Sequence, residues 1–301
     1  MNNETAREEL RKSLIAEQLP AMPHSALSVL KLDNDLSKVN INDLVRPIEA
    51  DPGLAAQVLK FLNSSAFGFQ STISNIRQGV ALVGIRIVKN FVLWKAVFSL
   101  IPRSKTGSFD VGLLWQDSLR RAMFSRILLL ELKRGDTEMA FAGALLQDMA
   151  IPLLLKLKTA DYSPVLDSLA RQPASRRLSD IENDNFGWNH ADAGFVLGQH
   201  WKLPEILVNL IGNHLRAEEL AASFAEQPEY FVVALSSLLP SVTKADWDDR
   251  DAFIRLFEKV FSGNKRLFLN LFSRIDIEFE QYAALLQIAQ PKQGLFTYID
   301  A

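Results

Sequence analysis

An all-α fold is predicted by three features of the 301-residue sequence. Apolar residues recur at helical spacing from end to end, and the strict alternation typical of strands is nearly absent. Capping residues and prolines precede many of these apolar runs, and glycines follow several of them. The composition, 48% hydrophobic and 23% charged, is that of a folded globular chain. We therefore expect a multi-helix bundle that is folded throughout.

The first half of the chain contains clear helix starts. Asp51 followed by Pro52 is typical of an N-cap and a first helical residue. Asn75 caps a run that Gly84 can end. The next run, 85–100, is apolar on nearly all sides, so we expect a buried, central helix.

The middle of the chain continues in the same way. Asp110 begins a long predicted helix to Lys133, and Asp136 caps the next one. That second helix runs through the apolar stretch 142–155, whose centre carries the polar doublet Gln147-Asp148. The same signals predict later helix starts at Ser163-Pro164, Asn189-His190 and Lys202-Leu203-Pro204. They predict helices over 231–239, 250–261 (ended by Gly263) and 279–289. Breaks are predicted at 103–108, 172–175 and 225–228.

Composition and charge exclude several kinds of function. Because there is no cysteine, a metal site would have to use histidines and carboxylates. The net charge of -2 gives no basic field for nucleic acid, and the small cluster Arg171, Arg176 and Arg177 is typical of a solvated loop. The polar N-terminus resembles no signal peptide, and the densest apolar run, Phe91 to Ile101, is too short for the ~20 residues of a membrane span. We expect a cytoplasmic protein without membrane or nucleic-acid partners.

The sequence has no phosphate-binding loop, no HExxH and no GxSxG motif, which leaves four histidines as candidate functional residues. His24 and His200 have the setting of surface residues. His190 and His214 lie at the boundaries of apolar helices, where each can face a cleft. For these two, a structural hydrogen bond and a ligand role both stay open.

A series of segments from Leu19 to His214 resembles the HDOD family, the HD-related output domain of bacterial signalling. The segments include ALLQDMA, and the most specific are the ADPGLAAQVLKFLNSS block and, after it, the block that runs from NHADAG to HWKLP. The resemblance implies an all-helical fold related to HD-type metal phosphohydrolases, without demonstrated catalysis. It divides the chain into an N-terminal helix (1–18), an HDOD domain (19–215) and a helical C-terminal region (216–301). We expect the phenylalanines of that last region to pack it onto the domain.

The resemblance also predicts a degenerate site. At two positions where a catalytic relative has metal-binding imidazoles, this chain has Asp117 and Gln147, while Asp148 and His190 remain. A lone carboxylate–imidazole pair binds transition metals weakly, so we expect no metal and no cofactor. An Asp117–Asp148 pair that holds Mg²⁺ or Mn²⁺ stays open as an alternative. The predicted vestigial cleft consists of Asp117, Gln147, Asp148, His190 and His214.

The sequence therefore predicts a non-catalytic regulatory or signal-transduction module rather than an enzyme. Its partner would be an unidentified signalling protein or a small effector. The alternative is a divergent metal-dependent phosphohydrolase acting on a nucleotide or cyclic dinucleotide. Cyclic di-GMP hydrolysis is the weaker form of that alternative, because the HHE and GYP segments of HD-GYP enzymes are both missing and the nearest sequence is GNHLRAEE.

Overall fold

The fold is built from helices. The computed structural model describes residues 3–17, 19–32, 38–64, 67–101, 109–169, 176–261, 265–286 and 288–299. Throughout these residues the regular structure is helical and none of it is a strand, which confirms the predicted all-α class. The predicted breaks at 103–108 and 172–175, and the predicted helix end at Gly263, lie outside the described residues.

The helices are numbered here in chain order. The N-terminal part contains α1 (Asn3–Ala16), α2 (His24–Leu30), α3 (Ile41–Glu49), α4 (Pro52–Leu62), α5 (Ile76–Val83) and α6 (Ile85–Leu100). The central part contains α7 (Val111–Leu132), α8 (Thr137–Leu146), α9 (Ala150–Leu157), α10 (Thr159–Leu169), α11 (Leu178–Phe186), α12 (His190–His200) and α13 (Glu205–Asn213). The C-terminal part contains α14 (Ala217–Leu220), α15 (Pro228–Ser236), α16 (Arg250–Phe261), α17 (Lys265–Leu286) and a 3-10 turn (Leu295–Tyr298).

Several predicted caps are present as hydrogen bonds. The Asp51 side chain accepts the Leu54 N–H at 3.0 Å at the start of α4. The Asp110 side chain accepts the Gly112 N–H at 2.8 Å at the start of α7. Gly84 has φ 96°, a conformation that favours glycine, and it separates α5 from α6 as expected. The two capped boundaries could be predicted from the sequence, because a capping side chain accepts a backbone N–H only two or three residues further along the chain.

Two predicted helix starts were wrong by five residues or more, and α15 runs Pro228–Ser236 instead of the predicted 231–239. Pro164 lies inside α10, which begins at Thr159. The Lys158 carbonyl, just before the helix, accepts the Tyr162 N–H at 2.8 Å. The proline removes one N–H from the second helical turn, and the helix continues through it. The last long helix, α17, begins at Lys265 rather than 279 and ends at Leu286. Its first half packs apolar residues onto the core, a tertiary contact that extends the helix past its local start signals.

The sequence predicted one helix through the stretch 142–155, but the structure has two helices there. Helix α8 ends at Leu146 and α9 begins at Ala150, so Gln147 and Asp148 lie in the turn between them. The Met149 N–H bonds the Leu146 carbonyl at 3.0 Å, which tightens the chain at this point. The break matters because it directs the Asp148 side chain away from the α8 axis and into a cavity.

Helix α7 lies at the centre of the core. It packs against α8, α15 and α17, and Leu119, Met123 and Phe124 on it are fully buried. Helices α8 and α9 together, Thr137–Leu157, are long and apolar enough to cross a membrane by length and composition alone, but 89% of the most apolar window is buried inside the fold. That burial identifies the segment as core. Helix α6 connects the N-terminal helices to α8.

The C-terminal region covers α7 with aromatic side chains. The rings of Phe124 and Phe253 meet edge to face at 5.6 Å between centroids. Phe268 is partly buried against the core. Five further phenylalanines of this region are buried, as the sequence predicts, namely Phe253, Phe257, Phe261, Phe272 and Phe279.

Candidate functional site

Three of the predicted cleft residues converge in one buried cluster. Asp148 lies in the α8–α9 turn, His190 is the first residue of α12, and His214 follows the last residue of α13. Asp148 Oδ1 is 3.5 Å from His190 Nε2 and 3.3 Å from His214 Nε2. The two Nε2 atoms are 3.2 Å apart. The three atoms therefore form a nearly equilateral triangle.

Close packing of α12 on α13 brings the two histidines side by side. Asn189 caps α12 by accepting the Ala191 N–H at 3.0 Å, which fixes His190 at the first turn. At Gly194 a Cβ would lie 2.7 Å from Ile211, so only glycine permits this approach without a shift. In the sequence NHADAG, Asn189 therefore fixes the start of α12, and Gly194 lets α12 approach α13 closely enough to place His190 beside His214.

Each histidine is held from behind by an acceptor. His190 Nδ1 lies 2.6 Å from Glu182 Oε2, and the same oxygen accepts the His190 backbone N–H at 2.9 Å. Tyr162 donates its hydroxyl hydrogen to Glu182 Oε1. His214 Nδ1 lies 2.7 Å from the Ile211 carbonyl, which can only accept, so that nitrogen carries the hydrogen. Both Nε2 atoms are consequently turned toward Asp148.

The charges in the cluster are strongly coupled. Burial alone would raise the pKa of Asp148, but the Arg121 guanidinium and the two imidazoles hold it far below its usual range, so this carboxylate is ionised. Burial works against a charge on His190, yet Glu182 and Asp148 raise its pKa above the ordinary value. The pKa of His214 is lowered, chiefly by burial.

The other two predicted residues are placed differently. Asp117 lines the same cavity, but its carboxylate oxygens accept the Ser241 hydroxyl at 2.6 Å and the Val242 N–H at 2.8 Å. Burial raises its pKa. Gln147 is fully buried away from the cavity lining, where its Oε1 is 3.4 Å from the Ser236 hydroxyl. The structure thus joins Asp148, His190 and His214 and leaves Gln147 out.

Sequence reasoning missed three residues of this site. Arg121 pairs with Asp148, and both side chains are largely buried, at 14% and 7% exposure. Glu182 and Tyr162 hold His190 from a neighbouring pair of helices. Charged residues within the apolar helix α7 were the one signal that could have indicated Arg121, because a buried charge needs a partner.

A cavity of about 700 Å³ opens onto the cluster. Residues 237–249 of the C-terminal region form one of its walls. Arg176 and Arg177, two of the three arginines of the basic cluster, lie at this cavity and pair with Asp184 and Asp249; the third, Arg171, is outside the described residues. The apolar part of the lining includes Leu113, Leu166, Leu169, Leu178 and Leu239.

Comparison with known proteins identifies one matching family. The sequence profile of the HDOD domain matches residues 19–217, a range that contains the whole Asp148–His190–His214 cluster. An uncharacterized protein of Treponema pallidum is 27% identical over 209 residues, which are 66% of this chain and 39% of that protein. The chain therefore spans well under half the length of this relative.

Two solved structures share the fold. A provisionally assigned signal transduction protein from Marinobacter aquaeolei VT8 is 18% identical with a TM-score of 0.72, over 95% of this chain and 67% of that one. A provisionally assigned phosphohydrolase from Shewanella amazonensis SB2B is also 18% identical, with a TM-score of 0.70 over 92% of this chain and 98% of that one. One fold thus accompanies two different functional assignments, so function has to be argued from the site.

Proposed function

The chain belongs to the HDOD domain family, and we propose that it is a non-catalytic regulatory module of signal transduction whose cleft binds a small effector. The observation that carries this proposal is the use of the Asp148 carboxylate. Arg121 takes Oδ2, and Oδ1 faces the two histidines. The carboxylate has no second free oxygen for another ion.

This arrangement is unfavourable for a two-metal phosphohydrolase. Such enzymes clamp the attacking and leaving oxygens between ions about 3.5–4 Å apart, which needs donors for two ions. Asp117 is already bonded to Ser241 and Val242, and Gln147 lies outside the cavity. The guanidinium of Arg121 also places a fixed positive charge where a second ion would approach Asp148.

The cavity supports the binding of a small molecule. Its volume of about 700 Å³ is in the range of ligand sites, roughly 300–1,000 Å³. Leucine side chains supply apolar contact area, and charged and hydroxyl groups line the same cavity. Because residues 237–249 form one wall, a bound effector would contact both the HDOD domain and the C-terminal region. Effector binding could then change the C-terminal surface that a partner protein contacts.

The alternative, a divergent metal-dependent phosphohydrolase, is favoured by one specific observation. Asp148, His190 and His214 each offer one ligand atom, and these atoms lie within 4.8 Å of one another. A single ion can lower the pKa of a bound water and so generate a nucleophile.

An activity comparison tests the proposal against this alternative. The full chain and Asp148→Asn would be assayed with Mn²⁺, Fe²⁺ or Zn²⁺ on phosphomonoesters, nucleotides and cyclic dinucleotides. We expect the two proteins to give the same background rate. Turnover that Asp148→Asn abolishes would establish the phosphohydrolase instead. For effector binding, a thermal-shift screen of small anionic and nucleotide ligands would be compared with Leu169→Trp, which narrows the cavity.

A further inference from the structure

The Asp148–His190–His214 cluster brings three electron-rich atoms together. When both imidazoles are neutral and Nδ1 of each donates to its acceptor, the two Nε2 atoms direct their lone pairs at each other and at Asp148 Oδ1. Lone pairs at such distances repel unless a cation lies among them. One proton can bridge only one edge of the triangle, whereas a metal ion bonds all three atoms.

The size of the triangle fits a metal ion. Bonds of about 2.0–2.1 Å in a tetrahedral site place neighbouring ligand atoms about 3.3–3.4 Å apart. The three edges here are 3.2, 3.3 and 3.5 Å. Two imidazole nitrogens and one carboxylate oxygen are also donors that Zn²⁺, Fe²⁺ and Mn²⁺ accept.

The groups behind the three donors fit the same interpretation. A histidine that binds metal usually donates its other ring N–H to a carboxylate or carbonyl, which fixes its tautomer and orientation. Glu182 has this position behind His190, and the Ile211 carbonyl has it behind His214. Arg121 holds Asp148 by Oδ2 and leaves Oδ1 directed at the histidines.

We propose that Asp148, His190 and His214 bind one divalent transition-metal ion through Oδ1 and the two Nε2 atoms. This goes beyond the proposed regulatory function and reverses the sequence-based expectation of no metal, which counted two donors. The ion would link the α8–α9 turn to the ends of α12 and α13. Because all three donors line the cavity, a fourth ligand can reach the ion from there.

Metal titration tests the proposal. The full chain, stripped with chelator, would be titrated with Zn²⁺ by calorimetry and with Co²⁺ by visible absorption. We expect one equivalent to bind and the Co²⁺ spectrum to show tetrahedral nitrogen and oxygen ligation. His214→Ala should lose more affinity than the roughly 10–100-fold that removal of an outer partner costs. His200→Ala is the matched control, an exposed histidine on the same helix as His190, and should bind as the unmodified protein does.

Two results would overturn the proposal: a folded, unmodified protein that binds neither ion, or His214→Ala that binds with unchanged affinity. If His214→Ala fails to fold, Asp148→Asn gives the same comparison with a side chain of equal shape. The readouts are stoichiometry and spectrum rather than turnover. Failure of metal binding therefore leaves the regulatory proposal intact, and the discovery of hydrolysis would leave the metal site intact.

Discussion

At the scale of single residues, Asp148 determines what the site can do. It is a buried, ionised carboxylate with a guanidinium on one oxygen and two imidazoles on the other. A buried charge of this kind is stable only while its partners are present. The chemistry of the site therefore depends on groups that stand around the carboxylate as much as on the carboxylate itself.

Arg121→Met should destabilise the protein by about 3–5 kcal/mol, because it removes the guanidinium partner of a buried carboxylate. Urea unfolding measures this loss. Arg216→Met is the control, since its pair with Glu219 is exposed, at 55% and 60%, and such pairs contribute about 0–1 kcal/mol. Zn²⁺ should restore part of the stability of Arg121→Met. A loss below about 1 kcal/mol would mean that the Arg121–Asp148 pair is not a buried ion pair in solution.

Glu182→Gln should weaken Zn²⁺ binding by roughly 10–100-fold while it preserves the fold, since Glu182 orients His190 without touching the ion. Isothermal calorimetry on the two proteins measures the change. Glu219→Gln, an exposed glutamate, should have no effect. Equal affinity in Glu182→Gln would remove the positioning role of this residue.

The sequence predicted the members of the site better than its geometry. Asp148 and His190 were named as cleft residues from the family resemblance, and His190 and His214 because each lies at the boundary of an apolar helix. Their convergence depends on the packing of α12 on α13, which spacing along the chain does not reveal. Arg121 and Glu182 were missed for the same reason. Gln147 was included because the resemblance places a metal-binding imidazole at its position, and the structure buries it away from the cavity lining.

At the scale of elements, local capping decides where most helices begin. Asp51 caps α4 and also accepts the Ser25 hydroxyl from α2 at 2.8 Å, so one side chain connects two helices. The errors at Pro164 and at the start of α17 occurred where packing overrides local signals. Elements specified by caps could thus be predicted from sequence, whereas elements specified by tertiary contact could not.

Asp51→Ala should lower the free energy of unfolding by about 1 kcal/mol at pH 7, because it removes the cap. The Leu54 N–H and the Ser25 hydroxyl lower the pKa of Asp51 relative to the unfolded chain. Its contribution is therefore present above the unfolded pKa and is lost as the pH falls through the lower, folded value. The difference between the two proteins should narrow below about pH 4.

Asp51→Asn is the matched control for this prediction. Asparagine caps about as well as aspartate, so the stability at pH 7 should stay close to that of the unmodified protein, without the acid dependence of the carboxylate. Denaturant unfolding at pH 7 and pH 3 distinguishes the three proteins. A loss from Asp51→Ala that is equal at both pH values would contradict a role for the charged carboxylate.

At the scale of the whole molecule, the C-terminal region completes both the core and the cavity. Helices α15 and α17 cover α7, and residues 237–249 form a cavity wall. The family profile ends at residue 217, so neither contribution follows from the family alone. The C-terminal phenylalanines indicated the packing, because large exposed apolar patches are uncommon on soluble proteins.

Truncation after Leu215 should give an aggregation-prone remnant, because it exposes the apolar face of α7 around Phe124. Size-exclusion chromatography and thermal unfolding of the fragment measure this. A soluble fragment with a single cooperative transition would show that the HDOD domain is stable without its C-terminal cover.

A non-catalytic module with a metal site at Asp148, His190 and His214 holds one ion in this cluster and not two. Crystals grown with Zn²⁺ and measured at the zinc absorption edge test this most directly, because anomalous scattering locates each ion. We predict one peak, about 2.0–2.2 Å from Asp148 Oδ1, His190 Nε2 and His214 Nε2. Two peaks about 3.5–4 Å apart beside Asp148 would indicate a two-metal hydrolase and contradict the regulatory proposal, whereas a cluster without any peak would contradict the metal site.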